Sequence, residues 1–138
     1  MIGYIQGTLL KKEIDRILLL AGQVGYEILL PPMVMESISD KTVNDNLSFF
    51  IYYHQTERQP KPVLIGFNDE NEKEFFQAFI SVEDIGPLKA LKALTMPVGE
   101  IARAIETKDT AQLHKLKGIG NRMAQKIIAS LQGKLDRF

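Results

Sequence analysis

The chain has no cysteine, and among its 138 residues only two are histidine, His54 and His114. Without thiols there is no disulfide framework and no cysteine nucleophile, and two histidines are too few for a convincing zinc site. Long apolar runs are missing as well. A run such as Ile17 to Ala21, unsurpassed in the chain, has five residues and falls far short of the roughly 20 that a membrane helix needs. No charged segment leads into an apolar core at the N-terminus, so a cytoplasmic protein with no membrane role is expected. Catalytic signatures are also lacking. The one Gly-Lys pair, Gly133-Lys134, is followed by Leu135 where a phosphate-binding loop requires Ser or Thr, so no means of hydrolysing ATP is visible. There is no nucleophile elbow, zinc-protease helix or complete dinucleotide glycine pattern. The paired carboxylates Asp69-Glu70 stand at a helix start, where dipole compensation explains them better than acid–base work. A non-enzymatic protein without metal or cofactor is expected.

Net charge is zero, with 17 basic and 17 acidic residues. Its distribution is uneven: residues 1–66 carry −1, residues 67–107 carry −4 and residues 108–138 carry +5. A concentrated basic patch matters more to a phosphate than the total does, so the C-terminal third is where a polyanion is expected to bind.

With 45% hydrophobic and 25% charged residues, the chain has an ordinary globular composition. Its hydrophobic period changes near Phe67, which predicts a multi-domain protein with domains at 1–66 and 67–138. The first part reads as five short strands: Ile2 to Ile5, Arg16 to Ala21, Val24 to Leu30, Leu47 to Tyr53 and Val63 to Phe67. Pro31-Pro32 ends the third and precedes a single helical turn, Met33 to Ser37. This pattern suits an all-β, five-stranded barrel of the OB type. Between the last two strands, His54 to Pro62 is a polar stretch read as a projecting hairpin tip, although by spacing alone it is a plain surface loop. Alternation puts Phe49, Ile51 and Tyr53 on one face and Phe50 and Tyr52 on the other, so at least half of these aromatics are expected in the core.

After Phe67 the period is helical. Asn68-Asp69-Glu70 caps a helix with the apolar face Phe75, Phe76, Phe79 and Ile80. Helices follow from Leu88 to Leu94, from Pro97 in a first turn to Ile105, from Thr110 to Leu116 and from Asn121 to Leu131. The core expected for this all-α domain includes Val98, Ile101, Ala102, Ile105, Leu113, Leu116, Ile119, Met123, Ala124, Ile127, Ile128 and Leu131.

Within it, Ile85, Gly86, Ala90 and Lys92 recur 34 residues later as Ile119, Gly120, Ala124 and Lys126. Each copy joins two helices through a short glycine hairpin, the signature of a helix-hairpin-helix unit. The second, Leu116-Lys117-Gly118-Ile119-Gly120-Asn121-Arg122, is the fuller form. Glycine permits positive φ and the close approach of another backbone, and the isoleucine between can plug the gap between helices. Bare amides at the following helix start suit a phosphate oxygen, and Lys117, Arg122 and Lys126 add charge nearby. Contacts of this kind read the nucleic-acid backbone rather than its bases. DNA binding is favoured over a plain helix–helix turn with solvated lysines.

In these motifs, together with Met1-Ile2-Gly3, Val24-Gly25-Tyr26-Glu27, Leu64-Ile65-Gly66-Phe67 and Ile85-Gly86-Pro87, the chain resembles the RuvA family, bacterial subunits that bind Holliday junctions and assist the motor RuvB. The resemblance spans almost the whole chain. It implies an OB barrel followed by tandem helix-hairpin-helix units, assembled as a homotetramer, or an octamer of two, on four-way junction DNA in recombination and repair. It further implies DNA contacts from Ile85, Gly86 and Lys89 in the first hairpin, and from Gly118, Ile119, Gly120, Asn121, Arg122 and Lys126 in the second, to which the charge of Lys117 adds a DNA-binding residue. The tip at Gln55 to Gln59 would be the junction pin, carrying Glu57 and Arg58.

The sequence departs from the family pattern at several points. The pin has a single acid, Glu57, beside Arg58; the first hairpin has Asp84 in place of a glycine and Leu88 in place of a basic residue; Tyr4 and Gln6 replace basic residues at the barrel opening. With Glu83 and Asp84 at its mouth, the first hairpin either binds weakly through Gly86 and Lys89 or mainly packs the domain. The chain stops at Asp136-Arg137-Phe138, about where the family's linker to a motor-contacting three-helix domain begins. It is read either as a core trimmed from a longer protein or as a short homologue. Junction binding is then expected to survive, while stable coupling to RuvB is not. Two rival readings are a single-strand-binding OB protein and an oligomerisation scaffold with degraded hairpin repeats.

Overall fold

Eleven elements succeed one another in the computed structural model, which describes residues 1–138: β1 (Tyr4–Lys12), β2 (Arg16–Ala21), β3 (Val24–Leu29), α1 (Pro32–Ser37), β4 (Asn46–His54), β5 (Val63–Phe67), α2 (Glu70–Ile80), α3 (Pro87–Ala93), α4 (Val98–Glu106), α5 (Thr110–His114) and α6 (Asn121–Leu131). Two compact units result, Met1–Lys73 and Glu74–Phe138, and the division falls within α2.

The first unit is built on a closed barrel in the order β1-β2-β3-β5-β4. All neighbours run antiparallel except β3 and β5, whose parallel register pairs Ile28 with Leu64 and Leu29 with Ile65. Parallel pairing requires a crossover, here supplied by α1 and β4. Alternate residues point inward: Ile17 and Leu19 of β2, Leu47, Phe49 and Ile51 of β4, and Ile65 and Phe67 of β5 are buried. This is the five-stranded OB-type barrel that the strand pattern predicts.

The first strand is longer than its apolar signal, which covers only Ile2 to Ile5. Gln6, Gly7 and Thr8 break the alternation, yet β1 continues to Lys12 because it pairs with β4 from Tyr4 to Thr8 and with β2 from Thr8 to Lys12. A bulge between Leu9 and Lys11 bends it between the two partners. Gly7 lies at this handover, and a Cβ there would collide with the Leu20 carbonyl. Beyond the strand end, the Lys12 ammonium donates to the carbonyls of Ile38 (2.8 Å) and Lys41 (3.0 Å), supplying a cation to the end of α1.

Of the β4 aromatics only Phe49 is fully buried; Phe50, Tyr52 and Tyr53 are half-buried, fewer in the core than alternation alone suggests. Tyr4 packs edge-on against Phe50 with ring centroids 5.0 Å apart, and the Tyr53 hydroxyl donates to Gln55 Oε1. Phe50, on the face opposite Phe49, is thus covered by Tyr4, while Tyr53 lies one residue from the end of β4 with its hydroxyl in a surface hydrogen bond.

The helical unit follows the predicted periodicity closely. The Asp69 side chain accepts from the Glu72 amide at the start of α2 (2.8 Å), and Phe75, Phe76 and Phe79 are buried. Pro97 is the N-cap of α4 rather than a first-turn residue. Along α6, Ala124, Ile127 and Leu131 are buried, whereas Met123 and Ile128 are half-buried because they flank that stripe on either side. The final residues carry no periodic signal but are firmly held. The Glu106 carboxylate accepts from the amides of Gly133 (2.9 Å) and Leu135 (3.0 Å), Leu135 is buried, and the Phe138 ring packs edge-on against Phe75 at 5.4 Å. No helix is long and apolar enough to cross a membrane.

Candidate nucleic-acid interface

The 34-residue repeat is a repeat of backbone geometry as well as of sequence. The Ile85 amide donates to the Val82 carbonyl at 3.1 Å, and the Ile119 amide donates to the Leu116 carbonyl at the same distance. The Gly86 carbonyl accepts from the Ala90 amide and the Gly120 carbonyl from the Ala124 amide, both at 2.9 Å. Gly86 and Gly120 are the extended N-caps of α3 and α6, with φ of −88° and −93°. One residue before each isoleucine the chain turns left-handed, at Asp84 (φ 72°) and Gly118 (φ 82°). Glycine adopts that conformation freely, and aspartate is among the few other residues that tolerate it.

The isoleucines are the plugs that the spacing predicts. Ile85 and Ile119 are buried, and their amides are spent within the turns. Neither can offer a side chain or a free donor to a ligand, so their part is to shape the loop. The glycines differ. The Gly86 and Gly120 amides have no backbone partner, and nothing lies within 4 Å of where a Cβ would stand on Gly86, Gly118 or Gly120. Glycine here therefore makes room on the outside of the hairpin.

The second hairpin opens onto α6, an 11-residue helix whose Gly120 N-cap provides no side-chain acceptor for the first-turn amides. Asn121 and Arg122 occupy that first turn and Lys126 lies one turn further on the Arg122 side. Lys117, Gly118, Asn121 and Arg122 are exposed, as is Lys89, and Lys89, Lys117 and Arg122 form no ion pair. The second hairpin thus concentrates free amides, the positive end of a helix dipole and exposed, unpaired cations in one place. On the first hairpin the position matching Arg122 is Leu88, also exposed.

Lys126 is placed differently from the other cations. Its ammonium donates to Asp84 Oδ2 at 2.7 Å, linking the two hairpins across 42 residues of sequence. The hydrogen bond and the opposite charge of Lys126 hold the Asp84 carboxyl below its ordinary range, with Lys89 adding to the effect. The same bond raises Lys126, assisted by Glu83 and opposed by Arg122. Sequence spacing does not reveal this link. The repeat does align Asp84 with Gly118, which is enough to foresee a left-handed aspartate.

At the tip between β4 and β5, the backbones of Thr56 and Gln59 bond reciprocally, at 3.0 and 3.1 Å, around a two-residue turn formed by Glu57 and Arg58. Both side chains are exposed and unpaired. The Gln55 side chain donates to the Pro60 carbonyl and that of Gln59 to the Lys61 carbonyl, bracing the base of the turn.

Comparison with known proteins covers both units. Residues 1–61 match the family described as RuvA N terminal domain, and residues 76–133 match the SAM-like Helix-hairpin-helix tandem family. The chain is similar over its full length to proteins named Holliday junction branch migration complex subunit RuvA. It is 64% identical to that of Desulfosudis oleivorans, covering 67% of the relative, and 60% identical to that of Desulforapulum autotrophicum, covering 64%. The Desulfatibacillum aliphaticivorans protein is 59% identical and is covered to 67%. The chain thus spans about two thirds of the length of these relatives.

Proposed function

The chain belongs to the RuvA family, and from that premise we propose that it binds four-way junction DNA in recombination and repair, presenting it for branch migration by a separate motor. The observation that carries this reading is the second hairpin: unpaired amides at the start of α6, room outside Gly118 and Gly120, and the free cations Lys117 and Arg122 beside them. Such a surface grips the sugar-phosphate backbone and discriminates little among bases. The first hairpin has the same backbone path, with Gly86 and Lys89 as its contacts.

A single hairpin pair neutralises few phosphates, so selectivity for a junction comes from several subunits engaging several arms at once. A homotetramer, alone or facing a second across the DNA, supplies that geometry, with the Glu57-Arg58 tip as its junction pin. The protein acts as a binding subunit, needs no cofactor and leaves ATP hydrolysis to a RuvB-like motor. A barrel that stacks single-stranded bases is not favoured, because no lysine or arginine lies between Thr42 and Glu57 to hold the backbone of a strand beside the β4 aromatics. A scaffold without DNA binding is not favoured either, given the free cations of the second hairpin.

The test is binding to a fixed four-way junction, to linear duplex and to single strand of equal nucleotide content, at two salt concentrations and with the solution mass measured alongside. Junction preference with a tetrameric or octameric mass supports the reading. Arg122→Ala should weaken duplex binding and flatten log K against log salt by about 0.9 per engaged hairpin. Equal binding to all three DNAs, or none, overturns it.

A further inference from the structure

The Asp84–Lys126 pair is difficult to explain as a stabilising contact. Both side chains are substantially solvent-exposed, at 60% and 39%, and an exposed ion pair contributes little to folding. Asp84 also adopts a left-handed conformation (φ 72°) at the position where the second hairpin has glycine. What the pair changes is the charge available to a ligand. Lys126 lies one turn beyond Arg122 on α6 and is the only cation of the second hairpin with an acidic partner at hydrogen-bond distance.

A carboxylate oxygen 2.7 Å from an ammonium makes the charge-assisted contact that a phosphate oxygen would make. Glu83 lies close enough to reinforce that negative field, while Arg122 on the same helix opposes it. Resting on the DNA-binding reading above, we propose that Asp84 is an internal phosphate mimic that occupies Lys126 and must be displaced before this lysine can engage a DNA phosphate. It therefore sets the affinity of each arm contact. Lys126 is neutralised in the free protein, whereas Arg122 and Lys117 are available from the start. Each bound arm exchanges one intramolecular ion pair for a phosphate contact, and the Lys126 contribution to salt dependence is correspondingly muted.

Asp84→Asn tests this directly. Asparagine preserves the shape and tolerates positive φ, but it removes the charge that holds Lys126. Asp84→Gly, which relaxes the backbone, is the second variant. Each is measured for binding to linear duplex and to a four-way junction across a salt series, alone and combined with Lys126→Ala. Thermal unfolding of every variant confirms that it is folded.

Both Asp84 variants should bind duplex more tightly, by about threefold at low salt, with a salt slope steeper by about 0.9 per engaged hairpin. In the Lys126→Ala background most of that gain should vanish, because the lysine to be released is gone. An equal gain with and without Lys126 overturns the proposal and makes Asp84 a simple repulsive charge. A loss of affinity in Asp84→Asn also overturns it, by showing that Asp84 aims Lys126 at the DNA. If the unaltered protein and Arg122→Ala show the same salt-independent binding or none, the DNA-binding reading itself fails, an outcome separate from the other two.

Discussion

Gly118 and Gly120 stand two residues apart in one hairpin but should respond to the same substitution in different ways. Gly118 has φ 82°, and placing a Cβ in that conformation costs roughly 1–2 kcal/mol. Nothing lies within 4 Å of the new methyl group, so no clash adds to this. Alanine also restricts the unfolded chain, which returns about 0.4–1 kcal/mol. Gly118→Ala should therefore lose about 1 kcal/mol net, a fall of about 5 °C for a unit as small as Glu74–Phe138. At Gly120, φ is −93°, an ordinary value for any residue, and the surroundings are again empty. Gly120→Ala should leave the melting temperature nearly unchanged, because the stiffer unfolded chain offsets the loss of glycine's preference for the N-cap, while placing a methyl group where the phosphate approaches. Far-UV circular dichroism melts and duplex binding, run side by side, check both. Equal destabilisation by the two variants, or a Gly118→Ala protein as stable as its parent, would refute the assignment of backbone roles.

Two further effects follow from single side chains. Glu106→Ala removes the acceptor of the Gly133 and Leu135 amides; it should cost about 1 kcal/mol and speed hydrogen exchange at those two amides, and unchanged exchange would show that the C-terminal segment is held by Leu135 and Phe138 alone. Glu72 has its pKa raised chiefly by burial, with the Asn68 amide partly opposing the shift. The folded state therefore favours the protonated form. The associated stability is present in full below the ordinary glutamate range and is lost as pH rises through the raised pKa. Glu72→Gln keeps an acceptor for the Asn68 amide and should flatten that part of the stability profile; identical pH profiles for parent and variant would refute the burial effect.

The elements most legible in the sequence are those whose burial repeats with a fixed period. Alternation in β2 and β4, and the Phe75–Phe79 and Ala124–Leu131 stripes, place most of the two cores correctly. The continuation of β1 from Gln6 to Lys12 is invisible to that reasoning, because its stability comes from neighbours on both sides and its own residues are mixed in polarity. The same limit applies to the site. The 34-residue offset identifies both hairpins and their glycines, since a local turn leaves a local signature. Asp84 with Lys126, and Glu106 with Gly133 and Leu135, are pairings across 42 and up to 29 residues, for which no spacing rule exists. The resemblance implies DNA contacts from Ile85 and Ile119, whereas the turns bury both side chains and occupy both amides, a detail that no spacing shows.

The position of β5 between β3 and β4 has a consequence for the order of synthesis. A ribosome delivers β1 to β4 before Val63–Phe67 exists, and until then both β3 and β4 have an unpaired edge facing solvent. Five residues close two edges at once, one in parallel and one in antiparallel register. A nascent chain that has released β4 from the ribosome while β5 is still inside the exit tunnel is therefore an open sheet with two exposed templates for pairing with another chain. Committing to the barrel must wait for contacts some 36 residues apart, such as Ile28 with Leu64. Delays in translation after β4 has emerged and while β5 is still inside the ribosome, more than at other points in the barrel's synthesis, should expose the protein to aggregation.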